Sequence, residues 1–425
     1  DLVLNQGSTP WRGVYTFLPN GKSYGVHRNV FYEIRNDGIT TAYGTISTTE
    51  GRVDICDDGF RIIVADGSEI YTYDTQTPAT PIAAVSDVDR PTSPNTCIVQ
   101  SGRVLTDESD SNQFKGSGAY APTTWGALDY ATAETSPDNI IRVVNYRGTA
   151  TMMGSKTIEY WQNTGGAGFP YAVIASATQE QGLAARWSLG GFMGSYAFLA
   201  KNREGQVFVA MLDGYSVKRI SNFELDFIIN GYTQNSTATG FGYMLGGHAM
   251  YQINFPFVMK SWLYDGASKY WSELRYGTDA RHRAEIAFEL NGVTCVTDYE
   301  NGKIYRLGEN YYTDDGDEII TVLRGKHISK NKKNIRIASL EIGIEPATTT
   351  DQTAKPVAGL RVSKDGGHSF GTQTFAKLGK VGEYFTRCIW RRLGIARDFV
   401  PEVSISEPIK RVITDAVLRV DEGTS

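Results

Sequence analysis

Short β-meanders recur along this chain of 425 residues, and that recurrence limits the fold more than any single motif. The clearest reads GRVDICDDGFRIIVADGSEIYTYD at 51–74, three apolar runs cut by two Asp-Gly pairs. Val53 and Ile55 alternate with Arg52 and Asp54, and Ile62 and Val64 with Arg61 and Ile63. A period of two in β-branched and aromatic residues predicts strands. Asp58-Gly59 and Asp66-Gly67 supply the positive φ that tight hairpins need. The same plan returns at 29–46, 195–221, 248–274 and 291–310, and IIRVVNYRGTATMMGSKTIEYWQN at 140–163 adds two or three strands. Helical periodicity is scarce, with room for a short helix only at 176–188 and 222–229.

Meanders spaced about 40–50 residues apart predict a β-propeller, because one small sheet cannot cover both of its faces and a ring of them can. About six irregular blades fit into residues 1–310, with a set of β-sandwiches as the competing arrangement. After Tyr311 the alternation runs over longer strands, interrupted by the polar linker ATTTDQTAKP at 347–356. Residues 311–425 read as a separate, β-sandwich-like domain, so the chain is all-β.

Charge divides the two regions. Of 42 basic and 47 acidic residues, 18 and 13 fall from Asp317 onward, a balance of +5 there and −10 upstream. Lys330, Lys332, Lys333 and Arg336 form one basic group, and Arg387, Arg391, Arg392 and Arg397 another. Asymmetry of this kind bears on association, so Lys330, Lys332, Lys333, Arg336, Arg391 and Arg392 are the interface candidates. The run KNKKNIR has no interleaved aromatic platform for stacking single-stranded bases and suits a solvated loop or a protein interface better. Cys56, Cys97, Cys295 and Cys388 lie far apart, a pattern of reduced core residues made in a reducing, cytoplasmic place. No apolar run approaches the roughly 20 residues of a membrane-spanning helix.

The search for chemistry returns little. The five histidines show no ligand spacing, and neither a phosphate loop nor a nucleophile elbow is present, so no catalytic residue, metal or cofactor is expected. Asp54, Asp66, Asp74, Asp213, Asp265 and Asp298 nearly all flank turns, where they suit capping of backbone amides. SKDGGHSF at 363–370 fits an Asp-box, with Ser363, Asp365, Gly367 and Phe370 in structural roles.

Longer stretches resemble one family. TIEYWQNTGGAGFPYAVI (157–174), GHAMYQINFP (247–256), SWLYDGASKYWSELR (261–275), YTDDGDEI (312–319) and LRVSKDGGHSFGTQTFAKLGKVGEYFTRCIWRRLGIARDF (360–399) are similar to the phage stabilisation family. These are packaged-DNA stabilisation or tail hub/nozzle proteins of short-tailed bacteriophages, and the likeness runs over about residues 12–420. Members usually carry a further N-terminal segment, so Asp1 is not expected to be the native start. The resemblance implies a homo-hexameric ring below the portal and adaptor proteins, in the virion tail, assembled in the host cytoplasm. It implies closure of the DNA exit channel, attachment of tail fibres or spikes and of a tail needle, and double-stranded DNA passing without sequence-specific contact. It assigns no catalytic residues. The competing readings are a sialidase-like propeller glycosidase and a non-catalytic glycan- or protein-binding propeller.

Overall fold

The computed structural model describes residues 1–133, 138–166, 168–277, 280–331, 333–345 and 355–422. Two compact units divide the chain, residues 1–275 with 279–308 and residues 276–278 with 309–425.

The first unit is a seven-bladed β-propeller. Four-stranded antiparallel sheets follow one another as blade 1 (residues 11–45), blade 2 (54–84), blade 3 (97–132) and blade 4 (140–173). Blade 5 (182–219) and blade 6 (239–276, with Ala280–Arg281) each carry one additional short segment. Blade 7 takes Ala284–Leu290, Val293–Asp298 and Lys303–Arg306 from the end of the unit and Leu2–Asn5 from its beginning. Leu4 pairs with Ile304 and Asn5 with Lys303, so the two ends of the unit close the ring. Seven blades is one more than the spacing of meanders suggested. The blade missing from that count is blade 3 (97–132), whose long last strand Ala121–Thr132 is little buried and alternates poorly.

Why the strands read as they do follows from the ring. In blade 2, Ile62, Ile63 and Val64 are all fully buried although neighbouring side chains point to opposite faces. Ile62 and Val64 pack with Val26 and Phe31 of blade 1, while Ile63 and Ala65 pack with Val104 and Trp125 of blade 3. The pattern repeats around the circle, each pair of neighbouring blades sharing one apolar cluster, up to the cluster of Leu4, Trp11, Ile34, Phe288 and Ile304 that joins blade 7 to blade 1. Turn chemistry fixes the registers. Asn291 and Gly292, both at positive φ (51° and 75°), form a two-residue hairpin between paired Leu290 and Val293. Asp58 and Asp66 each accept two backbone N–H groups of their own turns, at 2.6–2.9 Å. Near the axis, the segment Gly190–Phe192 of blade 5 and the first strand of blade 6 touch backbone to backbone. A Cβ at Gly242 would lie 1.7 Å from the Gly191 carbonyl oxygen.

The region 222–229 holds the expected helix, at Phe223–Asn230, with Asn222 accepting from the Leu225 amide at its N-terminus. Residues 176–188 do not form a helix. Two single 3₁₀ turns, Ala175–Ala177 and Arg186–Ser188, flank the two-residue strand Gly182–Leu183, because the segment is drawn into the inner edge of blade 5. No helix of the described residues is long and apolar enough to cross a membrane.

The second unit is a β-sandwich. One sheet orders Thr321–Arg324, Val400–Ile405, Val357–Ser363 and Thr374–Lys377; the other places Ile335–Ile344 between Cys388–Ala396 and Ile413–Glu422. Leu340, Leu360, Trp390, Val403 and Ile405 fill the space between them. Most of the linker at 347–356 lies outside the described residues.

Candidate functional site

The basic residues singled out in the sequence occupy one sheet of the sandwich and the turn that enters it. Arg336, Arg391 and Arg392 are exposed, and none has an ion pair among the described residues. Arg391 and Arg419 stand opposite Ser339 from the two flanking strands, which sets them in one row across the sheet. Lys330 and Lys333 close a tight turn just before this sheet, with the Lys333 amide donating to the Lys330 carbonyl at 2.9 Å. Ile335, at the start of the central strand, pairs with Ala396, so the turn lies beyond that end of the sheet, away from the Arg391 row. Lys332 lies outside the described residues. This face also carries acids, Asp421 opposite Arg336 on the flanking strand and, on the central strand, Glu341. Arg387 grips it with both ends of its guanidinium, Nε to Oε1 at 2.6 Å, and holds the carboxyl below its usual range, helped by the charges of Arg419 and Arg391. Arg419 was not among the sequence candidates, because it is isolated in sequence and joins the row only through strand pairing.

The Asp-box is a folded turn. Ser363 Oγ donates to Asp365 Oδ1 at 2.7 Å and accepts from the Gly367 amide at 2.8 Å, and the Ser369 amide donates to Asp365 Oδ1 at 3.0 Å. The Ser369 hydroxyl and amide, then the Ser363 hydroxyl, depress the Asp365 carboxyl well below its usual range. Phe370 lies beneath the guanidiniums of Arg324 and Arg361, 4.8 and 5.3 Å from its centroid, and both arginines pair with Glu402.

Of the six aspartates read as turn caps, Asp66, Asp74, Asp265 and Asp298 do accept amides two residues on, at 2.8–2.9 Å. Asp54 does not. Its Oδ1 accepts from Arg142 of blade 4 at 2.9 Å and its Oδ2 from the Cys97 amide of blade 3 at 3.0 Å. It belongs to a charged group at the propeller axis that sequence reasoning missed. Arg52 and Arg142 each lie 5.2 Å from the centroid of the Trp187 ring, and Arg52 and Arg281 both reach Glu285, at 3.3 and 2.8 Å. These residues come from different blades, so no window of the sequence holds them together. The readable signal was charge at the first strand of a repeat, where the Arg52-Val53-Asp54 alternation already placed it.

His282 joins blade 6 to blade 7. Its Nδ1 accepts from Gln252 Nε2 and from the Ala284 amide, both at 3.3 Å, which requires the neutral ring. Burial, then the neighbouring Arg281 charge, lowers its pKa to about 4, with Asp298 opposing and Arg283 adding to the fall. A histidine lowered in the fold binds protons more tightly when unfolded, so its stability contribution is whole above about pH 6.5 and is lost as pH falls towards 4. The expected loss is up to about 3 kcal/mol at 1.36 kcal/mol per pH unit. Thermal midpoints from pH 7 to 4 should fall more steeply for the parent chain than for His282→Gln.

A family model described as "Bacteriophage P22 Gp10, beta-propeller" matches residues 4–312, and one described as "Bacteriophage P22 Gp10, beta-sandwich" matches residues 321–421. The chain is 26% identical over 283 residues to the tail hub protein gp10 of Salmonella phage P22, a match covering 63% of this chain and 57% of that protein. The chain therefore spans less than two thirds of the length of this curated relative. Among solved structures it is similar to the WD40 β-propeller domain of Doa1, at TM-score 0.44 and 12% identity over 72% of this chain and 94% of that one. It is also similar to YCF48 from Cyanidioschyzon merolae, at TM-score 0.46 and 10% identity over 72% and 98%.

Proposed function

The chain belongs to the bacteriophage P22 Gp10 family, and from that membership we propose that it acts as a structural tail hub, or nozzle, in the virion of a short-tailed phage. The observation that carries this reading is the ordered match of both units, propeller then sandwich, to the two models of one family. In this role the protein forms a homo-hexameric ring against the portal and adaptor proteins, closes the DNA exit, retains packaged DNA and presents turns to tail fibres or spikes. It works by shape and needs no catalytic group. Rigid blades with many exposed loops suit such a part, since loops on a firm scaffold are where binding is placed. The duplex runs between copies in this arrangement. A wall drawn from the acidic region upstream of Asp317 repels phosphate and lets the duplex slide.

The sandwich sheet is the proposed contact with a neighbouring copy or the adaptor, because its exposed arginines have no ion pair among the described residues. Reversing charge at Lys333, Arg336, Arg391 and Arg392 to glutamate should reduce assembly onto purified portal–adaptor complexes by tenfold or more, each lost interface charge costing on the order of 1 kcal/mol. Electron microscopy of mixed samples reads the occupancy. Unchanged six-fold occupancy in the variant would remove this sheet from the interface, and a parent chain that never adds to the complexes would remove the tail-hub reading.

A further inference from the structure

At one mouth of the propeller axis lies a cavity of about 770 Å³, within the roughly 300–1,000 Å³ typical of small-molecule sites. Four arginines line it, Arg12, Arg28, Arg52 and Arg281, against two acids, Glu50 and Glu285. That gives a local balance of +2 in a region whose overall balance is −10.

Each arginine has a distinct state. Arg12 is committed, donating five bonds at 2.6–2.8 Å to the carbonyls of Arg28, Thr48, Glu50 and Gly51 and to the Thr48 hydroxyl. It shapes the wall. Arg52 and Arg281 divide the single carboxylate of Glu285, and the Nε of each is enclosed without a hydrogen-bond partner among the described residues. Arg281 is only 3% exposed, and its guanidinium lies 3.8 Å from the centroid of the Tyr299 ring. Arg28 is exposed at the rim and has no ion pair among the described residues. Enclosing two guanidiniums around one carboxylate leaves charge uncompensated, and burial, with Arg142 nearby, pulls the Arg52 pKa down against the support of Glu285. Arg52 lies over the Trp187 ring and Arg281 over the Tyr299 ring, and planar guanidinium forks match the paired oxygens of a carboxylate or phosphate. Trp11, Pro10 and Pro256 give the rest of the wall an apolar character.

We propose that this mouth is a binding site for a small oxyanionic ligand, a carboxylate or phosphate on a compact body, seated on Arg28, Arg52 and Arg281. Nothing in the proposal depends on assembly into a tail, and the isolated chain tests it.

Pyrophosphate and citrate are titrated separately at constant ionic strength, reading the thermal midpoint and tryptophan fluorescence. A saturable rise in midpoint with a fluorescence change is expected for at least one of them. Arg28→Gln should weaken it by about tenfold and Arg52→Gln by more, each removing a charge-assisted bond to the anion, while Arg203→Gln, in an exposed pair with Glu180, leaves it unchanged. Response to pyrophosphate alone assigns a phosphate, to citrate alone a carboxylate, and to both the shared chemistry. No saturable response to either, or one that Arg28→Gln leaves intact, overturns the site. Arg28 is a rim side chain, so its variant folds even where Arg52→Gln does not.

Discussion

Trp11→Ala should destabilise the propeller by about 3–5 kcal/mol, the cost of removing a large buried aromatic from a well-packed core. Trp11 opens the first strand of blade 1 (Trp11–Phe17) and is 2% exposed. Its ring packs with Leu4, Phe288 and Ile304 of blade 7, and its indole N–H donates to the Gly302 carbonyl at 3.0 Å. The deletion therefore opens a cavity and removes one of the two donors to the Gly302 carbonyl, which keeps only the Gln6 amide, at the seam where the ring closes. Every other blade junction joins neighbours in sequence. At this one the chain links blade 1 only to Leu2–Asn5, which is held in blade 7 by pairing with Lys303–Arg306 almost 300 residues away and not by the chain. Urea denaturation followed on the propeller transition checks the size, with Phe60→Ala as a control, since Phe60 is 64% exposed and should change stability by no more than about 0.5 kcal/mol. A loss below about 1 kcal/mol for Trp11→Ala would show that closure is held elsewhere.

What the sequence made legible was what local physics controls. Strands at Asp54–Asp57, Arg61–Ala65 and Ile70–Asp74 stand where alternation and two Asp-Gly turns put them. The sandwich was legible for the same reason, since Ile335–Ile344 and Cys388–Ala396 carry long alternations of their own. Alternation also misled. Ile62, Ile63 and Val64 show that a blade buries both faces, so polarity could not say which residues face a neighbour. Blade 3 went uncounted because its last strand Ala121–Thr132 is little buried and shows no clean alternation, while of blade 7 only the edge strand Leu2–Asn5, remote from the rest of its sheet, escaped notice. The axis was invisible for a related reason. Arg52, Arg142, Trp187 and Glu285 become neighbours only when the ring closes, and a lone charge in a strand reads as a solvated face. Among the basic candidates, the sequence proximity of Arg391 and Arg392 was informative, whereas the partnership of Arg391 with Arg419 depends on strand register. The overall family was legible from long ordered motifs, which record the whole arrangement rather than one contact.

The second large effect is expected at the axis. Asp54→Ala should cost about 3–5 kcal/mol, the range for breaking a buried ion pair from one side. Asp54 and Arg142 keep only 14% and 15% of their side-chain surface exposed and meet at 2.9 Å. Without the carboxylate, Arg142 remains enclosed beside Trp187, near the like charge of Arg52, and the Cys97 amide loses its acceptor. The penalty is the stranded charge, not the worth of the pair itself. Replacing both members, Asp54→Ala with Arg142→Met, should therefore recover most of the loss, because an apolar pair of similar volume is often neutral where a charge pair was buried. A double-mutant cycle reads this directly, with Glu180→Ala as the comparison. Glu180 pairs with Arg203 at 67% and 56% side-chain exposure and should contribute less than about 1 kcal/mol. The two outcomes separate two pictures of the axis. A large single-variant loss with recovery in the double means that blades 2, 3 and 4 are locked together by a dry charge network. A loss no greater than that of Glu180→Ala means that water already screens the axis and that apolar contact between blades holds the ring alone.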